Sequence, residues 1–519
     1  MKRHLKGIGV VMATMFLLCG AAWGASGQTT NNEWKGEQAK YVFLFIGDGM
    51  ALQQVNAAEI YRGSGSVEGG NANPSIKKLS FTQFPVQGMI TTYSSNSFIT
   101  DSAPAATSLA SGYKTDNGVI GMDPGKTKKF TTVAQMARDK GQKVGILTSV
   151  SLNHATPASF YASVPSRNDY YGIALQMFDS NFDFFGGGGI HKAKGNKKEE
   201  PQPDAYELAA SKGYKVVRTR EEILALKPGD GKIIAVNPVL DADSAMPYDI
   251  DRTDKELSLA EFTKKAIELL DNPKGFFMMV EGGKIDWACH ANDAATAIQD
   301  TFAFADAVQE AVLFAEKHPN ETLIVVVGDH ETGGMSIGFA GTQYETFFNK
   351  IGFQKESYLA FDKRVADFRK NNAPDKASFD AFFPQITEVF GLTNLPADEA
   401  KTLEEKAKGG DKEAKKLLAM NLSELELQQL QDAFARSMKG EQERSKDEQT
   451  YLLYGGYEPL TVKTTHILNQ KAGIGWTSYA HTGIPVPLFA MGVGAELFLG
   501  YYDNTDVAWK TMSILGVKH

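Results

Sequence analysis

The sequence predicts an α/β fold, with a largely parallel central sheet flanked by helices on both faces. Three observations predict it. Amphipathic stretches alternate with short apolar runs, the pattern of βαβ units. Those runs are hydrophobic throughout, as strands covered on both faces must be. Several of them end in a cluster of glycine and polar residues, and the C-terminal strand ends of an open α/β sheet are where ligands bind.

The elements follow in order. Tyr41 to Ile46 is an apolar strand ending in Gly47-Asp48-Gly49. Thr131 to Lys140 has helical character and stops at Gly141. The strand Val144 to Leu147 follows and leads into Asn153-His154-Ala155-Thr156. Ser258 to Glu261 is a capping box, and Leu259, Phe262, Ala266 and Leu269 share one helical face. The strand Phe276 to Val280 leads into Glu281, Asp286 and His290. A long helix, Asp293 to Lys317, precedes the strand Thr322 to Val327, which ends in Gly328-Asp329-His330. Leu488 to Met491 is a further strand.

Residues 344–446 are rich in Lys, Glu, Ala and Leu and read as a helical insertion in a single domain spanning 25–519. Ser423 to Glu426 is a capping box, with Leu422 and Leu427 placed as a hydrophobic staple. The insertion is either a solvated decoration of the core or a lid that shapes substrate access.

The N-terminus reads as a secretory signal over residues 1–24. Lys2, Arg3 and Lys6 precede an apolar stretch from Gly7 to Gly20, with a small-x-small site at Ala22-Trp23-Gly24. The apolar run falls short of the about 18 residues of a membrane span. Leu17-Leu18 ahead of Cys19 lacks the small residue that lipoprotein sites favour, so cleavage without lipidation is expected. The chain would be periplasmic or secreted, with no transmembrane segment once mature. Cys289 would then be the sole cysteine, leaving the core and any metals to stabilise the fold. A net charge of −8 without a basic run argues against a nucleic-acid partner.

Phe98 to Gly112, FITDSAPAATSLASG, offers Ser102 beside Asp101 with no histidine in the segment to activate it. Asp101 either caps the following helix or orients an arginine. The strand–turn–helix elbow of the G-x-S-x-G hydrolases is missing here. Metal coordination removes the need for a base, because it lowers the pKa of an oxygen nucleophile. Asp286 and His290, at i and i+4, would share a helical face. Mixed imidazole and carboxylate ligands suit Zn²⁺, and oxygen-only sets suit Mg²⁺.

The blocks FLFIGDGM, TDSAPAATSLASGYKTDNGVIG, HATPASFYASVPSRNDY, FDFFGGGG, MVEGGKIDWACH, VVVGDHETGG and SYAHTG resemble the alkaline phosphatase family in order and spacing. The resemblance implies hydrolysis of phosphate monoesters at a site of two Zn²⁺ and one Mg²⁺. Ser102 would be the nucleophile that becomes phosphoserine. Asp286, His290 and His481 would hold the first zinc. Asp329 and His330, with Asp48, would hold the second. Asp48, Thr156 and Glu281 would hold magnesium. Arg167 would clamp two phosphate oxygens with its planar fork. Three divalent ions against four carboxylates leave a positive surplus that a phosphate dianion would complement. Dimerisation is common in the family, so a homodimer is compatible with the resemblance.

Two positions depart from the best-known bacterial pattern. His154 stands where that pattern has aspartate, and Trp287 where it has lysine. A histidine at the third site could admit Zn²⁺ in place of Mg²⁺ or act through water. Changed metal preference and pH response are expected, with the same reaction. The alternatives are a phosphodiesterase, sulfatase or phosphoglycerate mutase of the wider superfamily, or an exported phosphate- or metal-binding protein. The sulfatase C-x-P-x-R signature is absent at Ser102. Gly334-Met-Ser336-Ile-Gly338 matches G-x-S-x-G, but no strand leads straight into Ser336.

Overall fold

Strand β1, Tyr41–Gly47, runs through the middle of a ten-stranded sheet. The others of this sheet are β2 (Val86–Thr91), β3 (Lys143–Thr148), β4 (Phe184–Gly187), β5 (Tyr214–Val217), β6 (Lys232–Val236), β7 (Phe276–Gly282), β8 (Thr322–Gly328), β13 (Val486–Gly492) and β14 (Gly500–Asp503). Their order is β14-β2-β13-β8-β1-β7-β3-β4-β6-β5. Two small two-stranded sheets stand apart. One pairs β9 (Glu331–Thr332) with β12 (His481–Thr482), the other β10 (Ser336–Ile337) with β11 (Ile474–Gly475). The structure, a computed structural model, describes residues 35–64, 75–195, 200, 202–440 and 447–517. The expected signal at 1–24, with Cys19, lies outside the described residues.

The sheet is parallel except for β13, which runs antiparallel to both β8 and β2. β1 pairs in register with β7 and β8, so Gly47, Gly282 and Gly328 lie side by side at one end. That register is why residues from distant parts of the sequence meet beyond one sheet edge. Every residue of β1, β7 and β8 is buried. Tyr41, Phe43 and Phe45 join an apolar cluster with Phe262, Ala266, Phe304 and Val308 from two helices. Val42, Leu44 and Ile46, pointing to the opposite face, are equally buried, so both faces are covered.

The helix expected over Thr131 to Lys140 spans Val133–Asp139. Thr132 is its N-cap and forms a capping box with Gln135, which excludes the preceding residue. The capping boxes at Ser258/Glu261 and Ser423/Glu426 are formed. Helices between Tyr358 and Ala472 gather a second apolar cluster around Phe361, Phe382, Phe390, Leu430, Phe434 and Leu468. Tyr454, Leu460 and Val462 belong to it too, so this core continues past residue 446. No helix among the described residues is long and apolar enough to cross a membrane.

Candidate active site

Ser102 is the first residue of the ten-residue helix Ser102–Ser111. Asp101 is its N-cap and accepts a hydrogen bond from the Ala103 amide at 2.7 Å. Both readings of Asp101 hold, because its carboxylate also pairs with Arg167 Nη1 at 3.2 Å. Ser102 itself is buried. Its Oγ lies 3.2 Å from His330 Nε2 and 3.5 Å from Asp48 Oδ1. A histidine thus approaches the serine from just beyond the end of β8.

The other predicted residues converge on the same sheet edge. Asp48 follows β1, Glu281 is the penultimate residue of β7, and Asp329 and His330 follow β8. Asp286 and His290 sit in the helix Lys284–His290, directly after β7. Gly49, next to Asp48, has φ +69, and a side chain there would meet Asp286 Oδ1 and Thr332 Oγ1 at 2.9 Å. Glycine is required at that approach, both for its φ and for space.

Among the described residues, three groups of side chains offer ligand atoms lying within 4.8 Å of one another: Asp286, His330 and His481; Asp48, Asp329 and His330; and Asp48, His154 and Glu281. His290 Nε2 adds to the first, lying 3.4 Å from Asp286 and 3.1 Å from His481 Nε2. His330 falls in two groups. Its Nε2 is 3.2 Å from Asp48 and 3.3 Å from Asp329, and its ring stacks on His481 at 3.6 Å. Thr156 Oγ1 reaches Asp48 Oδ2 at 3.4 Å. Arg167 Nη2 lies 3.1 Å from His154 Nε2, and the His154 ring packs edge-on to Trp287.

The donor chemistry fits cations. His290 Nδ1 and His481 Nδ1 face the backbone carbonyls of Tyr479 and Thr100, at 2.6 and 2.7 Å. A carbonyl only accepts, so each Nδ1 carries a proton, and in its neutral form each ring turns a lone pair outward at Nε2. Those two lone pairs face each other at 3.1 Å, beside the Asp286 carboxylate. A cation would satisfy all three. Glu281 Oε1, Asp329 Oδ2 and His154 Nδ1 are buried with no hydrogen-bond partner among the described residues. Burial, then the Asp48 charge, pushes the Glu281 and Asp329 carboxyls well above their ordinary range. Asp48, Glu281, Asp286 and Asp329 are all buried together, and a cluster of four carboxylates calls for positive charge.

A metal-free serine triad fits poorly. In such a triad the carboxylate holds Nδ1 while the serine faces Nε2. Here Ser102 and two carboxylates crowd the same His330 nitrogen, while Nδ1 faces only the Thr332 hydroxyl at 3.3 Å. Burial opposes charge on His330, yet Asp329 and Asp48 outweigh it and raise its pKa to about 10. Such a ring is protonated at neutral pH and is no base. Ser336 lies exposed in two-residue β10, with its Oγ bonded to the Gly338 carbonyl. It makes no nucleophile elbow.

Several supporting groups carried no sequence signal. Thr148 Oγ1 donates to Glu281 and Thr332 Oγ1 to Asp286, both through short hydrogen bonds. The Tyr479 hydroxyl donates to the Leu453 carbonyl at 2.8 Å, and its ring packs against the second apolar cluster. The carbonyl that orients His290 is thus braced by the helical region. Cys289 is a buried free thiol, consistent with a filler.

The chain matches the alkaline phosphatase family model over residues 39–517. It is 32% identical over 481 residues to alkaline phosphatase 3 of Bacillus subtilis, covering 91% of this chain and 88% of that one. With alkaline phosphatase 4 of the same species it shares 30% over 511 residues, covering 96% and 94%. The solved cold-active alkaline phosphatase of a psychrophilic Shewanella has a TM-score of 0.70 at 29% identity, covering 92% of this chain and 99% of that one. Sequence, fold and the carboxylate–imidazole cluster beside a helix-borne serine agree, and the chain belongs to the alkaline phosphatase family, enzymes that hydrolyse phosphate monoesters.

Proposed function

We propose that this chain hydrolyses phosphate monoesters through a phosphoserine formed on Ser102, with two Zn²⁺ and one Mg²⁺ as cofactors. The observation that carries the reading is the placement of Ser102 Oγ, buried at a helix N-terminus and within 3.5 Å of both His330 and Asp48. Asp286, His290 and His481 would hold one zinc, and Asp48, Asp329 and His330 the other. Asp48, Thr156 and Glu281 would hold magnesium, with His154 at the edge of that set. Bound there, the cations would supply Lewis-acid charge that favours ionised oxygen nucleophiles and offsets charge developing on oxygen.

The residues then divide the work. Ser102 Oγ gives its proton to solvent and forms a bond to phosphorus, while the bond from phosphorus to the leaving oxygen breaks. The leaving alkoxide takes up a proton from water. A water molecule next attacks the phosphoserine phosphorus and loses a proton to solvent, while the bond to Ser102 Oγ breaks and Oγ takes a proton back from solvent, releasing inorganic phosphate. At the start of the helix Ser102–Ser111 the Ala103 and Ala105 amides are taken by Asp101 and Pro104 has none, so the Ser102 amide is the one that would meet a phosphoryl oxygen. The Arg167 fork, steadied by Asp101, would hold two free oxygens, which a monoester offers. Catalysis on this account is mainly positioning and charge stabilisation. Export through the N-terminal signal, giving a periplasmic or secreted enzyme, belongs to the same proposal.

The test is hydrolysis of p-nitrophenyl phosphate by wild type and Ser102→Ala. Each is assayed after EDTA and after adding back Zn²⁺ and Mg²⁺, with an aryl phosphodiester as control. Activity on the monoester that EDTA abolishes, metals restore and the substitution removes supports the reading. Metal-dependent activity surviving in Ser102→Ala would mean that water attacks directly. Preference for the diester would move the chain to the phosphodiesterase reading, and phosphate binding without turnover to the binding-protein reading.

A further inference from the structure

Glu331 follows His330 and is completely buried. Its Oε1 accepts from Gln54 Nε2 at 3.0 Å and from the Met335 amide at 3.2 Å. Its Oε2 accepts from the Gly334 amide at 3.1 Å and, through a short bond, from the Thr482 hydroxyl. One carboxylate thus gathers four donors from three parts of the chain. The turn after it makes this possible, since Gly333 and Gly334 have φ +89 and +60 and fold the amides of residues 334 and 335 back onto the side chain.

Each donor leads to a segment that carries site residues. Thr482 follows His481, and Glu331 and Thr482 are cross-strand partners in the β9–β12 pair. Gln54 lies in the helix that starts just after Asp48 and Gly49. The same Gln54 Nε2 reaches the Thr332 carbonyl at 3.2 Å and Cys289 Sγ at 3.8 Å. Cys289 sits between Asp286 and His290 in its helix. The β9–β12 pair is only two residues long on each side, too short to hold its register alone. Next to it, the ring of His330, just before β9, stacks on that of His481, the first residue of β12, at 3.6 Å.

We infer that Glu331 is a positioning residue: its buried carboxylate ties the segment after His330 to the His481 strand and to the helix that follows Asp48, fixing the imidazole spacing for zinc. The inference rests on the metal reading proposed above. Outer-shell partners of this kind typically change metal affinity by about 10–100-fold when removed. Glu331→Gln keeps the shape but turns an NH₂ donor toward at least one group that itself donates.

The experiment measures zinc affinity of the full chain by competition with a chromophoric chelator, together with thermal unfolding of the zinc-loaded and metal-free forms. Glu331→Gln is expected to bind zinc about 10–100-fold more weakly, to gain less stability from zinc than wild type, and to recover activity when zinc is raised. Wild-type zinc affinity, with both forms destabilised equally, would show a purely structural role and overturn the inference. Thr482→Val, which removes a single donor, covers the case in which Glu331→Gln does not fold. It should weaken zinc binding by a smaller factor, and unchanged affinity overturns the inference. A wild type that binds no zinc sinks the metal reading and this inference with it.

Discussion

Asp101 has two separable roles, and two substitutions separate them. Its carboxylate caps the helix of Ser102 through the Ala103 amide and pairs with Arg167 Nη1 at 3.2 Å. Asp101→Ser keeps an oxygen at the cap and removes the partner of Arg167. Asp101→Ala removes both. The two paired side chains are 22% and 25% exposed, so solvent screens the ion pair and its worth is about 0.5–1 kcal/mol. Lost as Arg167 pre-organisation, that is roughly a two- to five-fold weakening of phosphate contact. Both variants should therefore show KM for p-nitrophenyl phosphate and the inhibition constant of inorganic phosphate raised by that factor. The cap contributes about 1 kcal/mol, which only Asp101→Ala should lose in denaturant unfolding. Steady-state kinetics and urea titration read the two effects independently. Unchanged constants in Asp101→Ser would refute the positioning of Arg167. Equal destabilisation of both variants would refute the cap assignment.

Metal removal should expose a pH dependence of stability. Without cations His330 is raised from 6.5 to about 10, so its contribution is fully present below 6.5 and lost as pH rises through about 10. The raised carboxyl of Glu281 acts in the same direction, its contribution fading as pH rises above its ordinary 4.5. Unfolding midpoints of EDTA-treated protein should fall across that window while those of metal-loaded protein stay level, and a level metal-free curve contradicts the electrostatic account. Thr148→Val removes the hydroxyl that donates to Glu281, so half-maximal activation should need several-fold more Mg²⁺ in a titration at fixed Zn²⁺. Phe434→Ala hollows the second apolar cluster and should cost about 3–5 kcal/mol in denaturant unfolding. A cost below about 1 kcal/mol would mean that this cluster is not a packed core.

The central strands were legible because β1, β7 and β8 are apolar runs, with Glu281 and Thr322 only at their ends, that close on glycine. Their parallel pairing follows from the helices between them. The sheet margins were not legible. β2 (VQGMIT) mixes polar and small residues, and β14 (GYYD) is a short, exposed edge. Neither has the buried-strand pattern, and the reversal of β13 depends on the path of the chain, which composition does not encode. The candidate site shows the same division. The side chains expected at Asp48, Ser102, Thr156, Arg167, Glu281, Asp286, His290, Asp329, His330 and His481 meet at one edge, with His154 beside them. What supports them was hidden, because the carbonyls of Thr100 and Tyr479 have no side-chain signature. Thr148, Thr332 and Glu331 act across the fold, and only through-space contacts reveal them.

Trapping the covalent enzyme tests the central claim most directly. Metal-loaded wild type and Ser102→Ala would be mixed with substrate, quenched in acid and analysed by intact mass and peptide mapping. The account predicts one phosphoryl group on the wild-type peptide containing Ser102 and none on the variant, which should not turn over. Rapid turnover with no phosphoryl-enzyme at any quench time, or a phosphoryl group on a different residue, would contradict it.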